Sequence, residues 1–184
     1  MSDWLTEQEI KDGIREYFGN FPTIAYCDGS NFVGRGSGAG VYVEESYVYA
    51  RDHRLDGFYK MVPSARISVP LNPNATNNEA EYQAVITALE YFVVRHSPLL
   101  SFEVRQDGPT PFTVYSDSEL VIKQINGDYK VREPRLKLLH SKVLLLLTEF
   151  RVPVDFKHIR REMNEHADLL ARMGSMLSPT HSNG

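Results

Sequence analysis

The 184-residue sequence contains little cysteine, little tryptophan and no long apolar run. Its single cysteine, Cys27, excludes a disulfide framework and a cysteine-based zinc site. One cysteine also suits a reducing compartment, so we expect a cytoplasmic protein. The first 20 residues are acidic and hold no continuous apolar stretch, so we expect this segment to be neither a secretion signal nor a membrane span. With 42% hydrophobic residues, the chain can form the core of one domain of ordinary size.

Positive charge is scarce overall but locally concentrated. The formal net charge is −4, yet residues 123–161 hold 10 of the 20 Lys and Arg and only 4 of the 24 Asp and Glu, a local net of +6. Such a segment is typical either of a solvated face or of a surface that binds phosphates. Charge alone does not decide between the two.

The order of predicted elements indicates a mixed α/β fold. Strand-like composition recurs at five places, which are residues 22–27, 40–52, 65–71, 111–117 and 153–159. A capping box at Thr76 begins a helix to about His96, and further helices are predicted over 118–126, 134–150 and 163–173. We expect a helical extension over 1–20, one domain over 21–175 and a flexible tail over 176–184. We assign no role from the sequence to the insertions near 51–64 and 99–110.

A glycine-rich stretch, GRGSGA at 34–39, fits the glycine fingerprint of dinucleotide-binding folds. That fingerprint carries weight only where it follows a strand and opens a helix. Here a β-like run follows, so we interpret the stretch as a flexible hairpin connection.

Four acidic residues occupy unusual places for charged side chains. Asp28 and Asp117 end apolar strands, whereas Glu81 and Asp168 lie among apolar residues near helix starts. Each alone is equally explained as a turn or helix-terminus residue. Four acids facing inward together would need a cation, because burying unpaired carboxylates costs free energy. Oxygen ligands without thiolates favour Mg²⁺ or Mn²⁺.

The motifs together resemble the type 1 ribonuclease H family. They are DGS after the first strand, TNNEAE at the first long helix, SDS after the fourth strand and NEHADLLAR in the last helix. The resemblance covers residues 23–174 and implies a ribonuclease H-like five-stranded mixed sheet flanked by helices. It further implies an endoribonuclease that cleaves the RNA strand of RNA–DNA hybrids with two divalent ions, leaving 5′-phosphate and 3′-hydroxyl ends. The catalytic and metal-binding residues it implies are Asp28, Glu81, Asp117 and Asp168.

The resemblance also suggests residues around the four acids. His158 precedes Asp168 by ten residues, which resembles the spacing of a family histidine assigned to proton transfer or product release. An ordinary surface histidine at a strand end explains His158 nearly as well. Glu119 stands where relatives often carry an amide. The tryptophan-containing basic handle of some relatives is missing, so hybrid affinity must come from the basic segment. The predicted substrate-binding residues are Gly29, Ser30, Thr76, Asn77, Asn78, Lys130, Arg132, Arg135 and Lys137.

Two other functions remain open at this point. The chain could be a catalytically weak or silent nucleic-acid-binding module, or a structural domain whose acids serve turns and caps. The partner that we expect is an RNA–DNA hybrid, with no membrane, no obligate protein partner and a monomeric state.

Overall fold

The computed structural model describes residues 23–32, 36–48, 59–96, 112–150 and 153–179. The predicted N-terminal helix within 1–20 and the insertion near 99–110 lie outside these ranges. The division into extension, domain and tail therefore stays a prediction.

Five strands and four α-helices make up the described part of the chain. The strands are β1 (Thr23–Phe32), β2 (Gly36–Val48), β3 (Tyr59–Leu71), β4 (Phe112–Ser116) and β5 (Val154–His158). The helices are α1 (Asn77–His96), α2 (Glu119–Ile125), α3 (Pro134–Leu147) and α4 (Glu165–Leu177), with a 3₁₀ turn at Arg161–Met163 before α4. None of the helices in the described ranges has the length and apolar character needed to cross a membrane.

The strands form one sheet in the order β3-β2-β1-β4-β5. Neighbours β3, β2 and β1 are antiparallel, whereas β1, β4 and β5 run parallel to one another. The predicted five-stranded mixed sheet is therefore confirmed. The parallel pairing of β1 with β4 stops at Cys27 and Ser116, so the residues just past this ladder and those that follow β4 and β5 come together at one end of the sheet.

The two faces of the sheet pack against different helices. Along β2, Val41 and Val43 are buried in the core with Val85 and Phe92 of α1. The alternate residues of β2 point to the other face, which α4 covers. Glu81 was predicted to share the inward face of α1 with Val85, Ala88 and Phe92, and all four are buried.

The glycine-rich stretch has a different role from the predicted flexible connection. Gly36, Gly38 and Gly40 lie within β2 and are buried. A Cβ at Gly40 would lie 2.2 Å from the Ala167 carbonyl oxygen, and one at Gly38 would lie 2.3 Å from that of Ala171. These glycines therefore allow the backbone of α4 to approach the sheet closely, and the helix carries Asp168 with it.

Several element boundaries differ from the sequence prediction. Strand β1 continues five residues past its predicted end at Cys27, to Phe32, because Asp28 and the residues after it pair with β2. Asp28 therefore lies inside the strand, and the prediction that it ends the strand is wrong.

Other element boundaries differ as well. Strand β3 begins at Tyr59, so part of the unassigned 51–64 insertion pairs with β2. Helix α4 continues to Leu177, four residues past the predicted end at Met173. The Ser178 hydroxyl then donates to the Leu71 carbonyl at 2.6 Å. The start of the predicted flexible tail is thus held against β3.

Candidate active site

Two of the predicted acids are placed by strand register. Cys27 of β1 pairs with Ser116 of β4 in the parallel ladder, and the next residues along are Asp28 and Asp117. Side chains at matching positions of neighbouring parallel strands share one face. The two carboxylates are therefore adjacent, at the end of the sheet where the parallel pairing of β1 with β4 stops.

A glycine brings the third acid to the same place. The backbone N–H of Gly29 donates to Glu81 Oε2 at 3.1 Å, which joins β1 to the second turn of α1. A Cβ at Gly29 would lie 2.2 Å from the backbone nitrogen of Glu81 and 2.4 Å from the carbonyl carbon of Ala80. Only a residue without a side chain lets α1 lie this close.

Gly29→Ala should therefore damage both fold and site. The methyl group would force the backbone of α1 away from β1, a cost of about 3 kcal/mol or more. Urea denaturation of the metal-free protein would measure it. Gly127→Ala is the matched control, because its positive φ of 84° carries strain but nothing lies within 4 Å of the added Cβ. We expect that control to cost about 1 kcal/mol, and equal losses for the two variants would contradict the packing argument.

Asp28, Glu81 and Asp117 offer carboxylate oxygens that all lie within 4.8 Å of one another. Asp28 and Glu81 are each only 6% exposed, and Asp117 is half-buried. Burial, followed by the charges of Asp117 and Asp168, raises the pKa of Asp28 to about 7. Burial and the charges of Asp28 and Asp117 raise the pKa of Glu81 to about 9.

The fourth predicted acid, Asp168, stands beside this cluster rather than within it. Its charge contributes to the raised pKa of Asp28. Its carboxylate pairs with Arg172, one turn further along α4, at 2.8 Å and with Arg161 at 3.4 Å. The Arg161 guanidinium also lowers the pKa of both Asp28 and Glu81, an effect smaller than that of burial. Arginine thus supplies part of the positive charge that four acids require.

The donor set fits a hard divalent cation. The candidate metal ligands that converge in the described part of the chain are all carboxylates, and two of them are buried where the ionised form is disfavoured. A cation with a preference for oxygen ligands would reverse that penalty, and Mg²⁺ and Mn²⁺ have this preference. The predicted metal site is therefore chemically consistent with the residues that the fold brings together.

A reverse transcriptase-like family model matches residues 64–174. The chain belongs to the reverse transcriptase-like family. Among solved structures, LC11-RNase H1 in complex with an RNA/DNA hybrid is 31% identical with a TM-score of 0.61, and the match covers 82% of this chain and 94% of that one. The N-terminal RNase H domain of Rv2228c from Mycobacterium tuberculosis is 27% identical with a TM-score of 0.62, with 84% and 93% coverage. The predicted type 1 ribonuclease H family and fold are confirmed.

Curated proteins of the family match over a shorter stretch. The bifunctional protein Rv2228c is 34% identical over 97 residues, and ribonuclease HI of Halobacterium salinarum is 35% identical over 97 residues. Both matches cover 53% of this chain, but only 23% and 42% of the respective relatives. The chain therefore matches less than half the length of either protein.

Three predicted substrate-binding residues lie at the start of α1 on the exposed surface. The backbone N–H of Thr76 donates to Glu79 Oε2 at 2.7 Å, and that of Glu79 donates to Thr76 Oγ1 at 3.2 Å. This capping box confirms the predicted helix start. Asn77 and Asn78 are exposed in the first turn, one turn before Glu81. They are available to a ligand beside the acids, although their binding role stays a prediction.

The predicted basic residues lie on the surface around the start of α3. Lys130 and Arg132 precede the helix, Arg135 and Lys137 lie in its first turn, and all four are exposed. Arg135 Nη1 lies 3.9 Å from Glu79 Oε1 of the capping box, which connects this basic surface to the start of α1. Of the other predicted contacts, Gly29 is buried and Ser30 is half-buried in β1.

His158 is the last residue of β5 and is exposed. It pairs in register with Ser116, the residue before Asp117. It therefore stands at the strand edge that carries the acids, and its proposed part in catalysis stays a prediction. Glu119, the expected amide position, pairs instead with Lys123 at 2.7 Å.

Sequence reasoning missed Asn164. It is fully buried, and its side-chain amide donates to the Cys27 carbonyl at 2.9 Å and to Asp117 Oδ1 at 2.8 Å. The predicted last helix, over 163–173, includes Asn164 and gave it no role. Its place in the motif NEHADLLAR, four residues before Asp168, was the available sequence signal.

Proposed function

We propose that this protein is a ribonuclease H that hydrolyses the RNA strand of RNA–DNA hybrids. The observation that carries the proposal is the convergence of carboxylate oxygens of Asp28, Glu81 and Asp117 within 4.8 Å, where the parallel pairing of β1 with β4 ends. The family membership and the ribonuclease H1 structures that share this fold support it. One of those relatives was solved with an RNA/DNA hybrid.

In the proposed mechanism Asp28, Glu81, Asp117 and Asp168 would hold two Mg²⁺ or Mn²⁺ ions. Two such ions, when bound, activate the attacking water and stabilise the leaving oxygen of a phosphodiester. Asp28 is the buried member of the cluster on which the charges of both Asp117 and Asp168 act, so it would serve as a central ligand of the metal site. Cleavage of the bond between phosphorus and the 3′ oxygen leaves 5′-phosphate and 3′-hydroxyl ends.

The chain's own residues would orient the hybrid across this edge. Asn77 and Asn78 are exposed on α1 one turn from Glu81, and there they would contact the strand being cut. Selection of RNA over DNA requires contact with the 2′-hydroxyl, and amide side chains both donate and accept hydrogen bonds. The exposed basic residues around α3 would bind phosphates further along the duplex.

A gel assay with an end-labelled RNA strand tests the proposal. With Mg²⁺ or Mn²⁺ we expect internal cuts in RNA paired with DNA, and an intact DNA strand in the same duplex. A DNA duplex of the same sequence is the matched substrate control. Binding of the hybrid without cleavage in either metal would support the silent nucleic-acid-binding module instead. Monomeric state and cytoplasmic location stay predictions.

The exposed basic residues should set the salt dependence of hybrid affinity. The test is to replace all four basic residues together by alanine: Lys130, Arg132, Arg135 and Lys137. This variant should have a higher apparent KM for the hybrid and a weaker dependence of KM on salt, since each lost phosphate contact lowers the logarithmic slope by about 0.7–0.9. Initial rates between about 50 and 200 mM KCl would measure the KM and its salt dependence.

Two other exposed lysines provide the control for this experiment. Lys142 pairs with Glu90 at 2.7 Å and Lys157 pairs with Asp155 at 3.4 Å, so both already have protein partners. Their double replacement by alanine should leave the slope unchanged. If the slope stays the same in the fourfold variant, the basic segment is only a solvated face.

A further inference from the structure

Asn164 lies where three acid-bearing elements meet. Its Nδ2 donates to the carbonyl of Cys27, the residue before Asp28, and to Oδ1 of Asp117. Its own carbonyl accepts the backbone N–H of Asp168 at 3.0 Å, as the first hydrogen bond of α4. Asn164, which is 0% exposed, thus contacts the middle of β1, the residue after β4 and the start of α4.

The ordinary explanation for an asparagine before a helix is capping. In that role the side-chain oxygen accepts an N–H from the first helical turn. Asn164 makes no such bond, and its Oδ1 is buried without a hydrogen-bond partner in the described part of the chain. An unpaired buried amide oxygen is destabilising. Capping therefore does not explain why this side chain is buried here. Its two N–H hydrogen bonds, to the Cys27 carbonyl and to Asp117 Oδ1, do explain it.

We propose that Asn164 is a positioning residue that holds the Asp117 carboxylate in the orientation that binds a divalent cation. The inference rests on the proposed function only in taking that cation to be the one that hydrolysis uses. The terminal torsion of an aspartate is broad when nothing fixes it. A donor at 2.8 Å from Oδ1 fixes it, and the second bond from the same Nδ2 ties that donor to the backbone of β1.

Hydrogen-bond partners of metal ligands have a measurable effect on affinity. Their replacement in other metal sites typically weakens metal binding 10–100-fold. We expect Asn164→Ala to weaken Mn²⁺ binding by at least about tenfold on that basis. The measurement is isothermal titration calorimetry with Mn²⁺ alone, without nucleic acid, so it does not depend on catalysis.

A double-mutant cycle separates positioning from general loosening of the fold. Asp117→Asn should itself weaken Mn²⁺ binding, and adding Asn164→Ala to it should weaken binding less than about threefold further. Once the Asp117 carboxylate is gone, removing the Asn164 side chain that orients it should have little further effect on Mn²⁺ affinity. If the two losses are instead additive, Asn164 does not act through Asp117 and the proposal is wrong.

Ser175→Ala is the matched structural control. The Ser175 hydroxyl is buried and donates to the carbonyls of Ser30 and Ala171, so it anchors the same helix to β1 without touching an acid. We expect a lower Tm and unchanged Mn²⁺ affinity. A loss of affinity equal to that of Asn164→Ala would assign the effect to a displaced α4 and overturn the proposal.

A milder variant covers the case in which Asn164→Ala does not fold. Asn164→Ser keeps a residue favoured at helix starts but cannot reach both acceptors, so Mn²⁺ affinity should fall about tenfold with a smaller change in Tm. Wild-type affinity in that variant would refute the positioning role. If the wild-type protein binds Mn²⁺ but never cleaves a hybrid, the proposed function fails while these affinities still decide the role of Asn164.

Discussion

Asp28→Asn is expected to lower kcat/KM for an RNA–DNA hybrid at least about a thousandfold, equivalent to about 4 kcal/mol of transition-state stabilisation. Asp28 lies within 4.8 Å of Glu81 and Asp117 and feels the charge of Asp168. The amide keeps the shape of the side chain and removes the charge that would hold a divalent cation. Initial rates on a labelled hybrid in Mg²⁺ and Mn²⁺ would measure the loss.

The same variant should not lose stability. Burial and neighbouring carboxylates raise the pKa of Asp28, which means that the fold opposes its charge when no metal is present. A neutral amide removes that penalty, so the metal-free variant should melt at or above the wild-type temperature. Loss of activity at preserved Tm therefore identifies a functional residue rather than a structural one.

Asp155→Asn is the control for that experiment. Asp155 lies in β5 near the opposite end of the strand from His158 and pairs with Lys157. Its replacement should leave kcat/KM within about twofold of wild type. Near wild-type turnover in Asp28→Asn would show that the acidic cluster is not the active site.

The second large effect is a loss of stability of the metal-free protein as pH rises. The pKa of Glu81 is about 9 and that of Asp28 about 7, both above their ordinary values of 4.5 and 3.8. Between the ordinary and the folded values the folded chain binds more protons than the unfolded chain, so the free energy of unfolding falls with rising pH. The stability contributed by the raised pKa values of the two carboxyl groups is fully present below about pH 4. It is lost as the pH passes through 7 for Asp28 and then 9 for Glu81.

Thermal melts in EDTA between pH 5.5 and 8.5 would measure this effect. We expect a loss of about 4–6 kcal/mol over that range, or roughly 8–24 °C in Tm for a chain of this size. Millimolar Mn²⁺ at pH 8.5 should restore most of it, because a ligand that binds the folded state stabilises that state. A flat pH profile without metal would contradict the burial of the two acids.

Glu81→Gln should remove much of the pH dependence. The amide cannot ionise, so this variant should be more stable than wild type at pH 8.5 in EDTA and should gain less from Mn²⁺. Glu149→Gln is the matched control, since Glu149 is exposed at the end of α3 and lies outside the cluster. Its pH profile should coincide with that of the wild-type protein.

The sequence by itself determined the family, the order of elements and which acids face inward. Apolar strand composition that leads into Asp28 and Asp117, and helical spacing that aligns Glu81 with Val85 and Phe92, were sufficient because they are local patterns. The predicted end of the first strand at Asp28 was wrong, because pairing with β2 carries β1 on to Phe32. Four matched motifs then identified the type 1 ribonuclease H fold, which the sheet order confirms.

Only the tertiary structure decided how these residues are held. The glycines of β2 looked like a flexible connection until α4 was seen to pack on them at backbone distance. The sequence assigned no role to Asn164, because nothing local shows that its amide reaches Cys27 and Asp117, which are distant in sequence. The pairing of Asp168 with Arg161 and the raised pKa of Glu81 likewise depend on charges and burial contributed by separate elements. A linear pattern records which side chains face inward, whereas distances between elements come from packing.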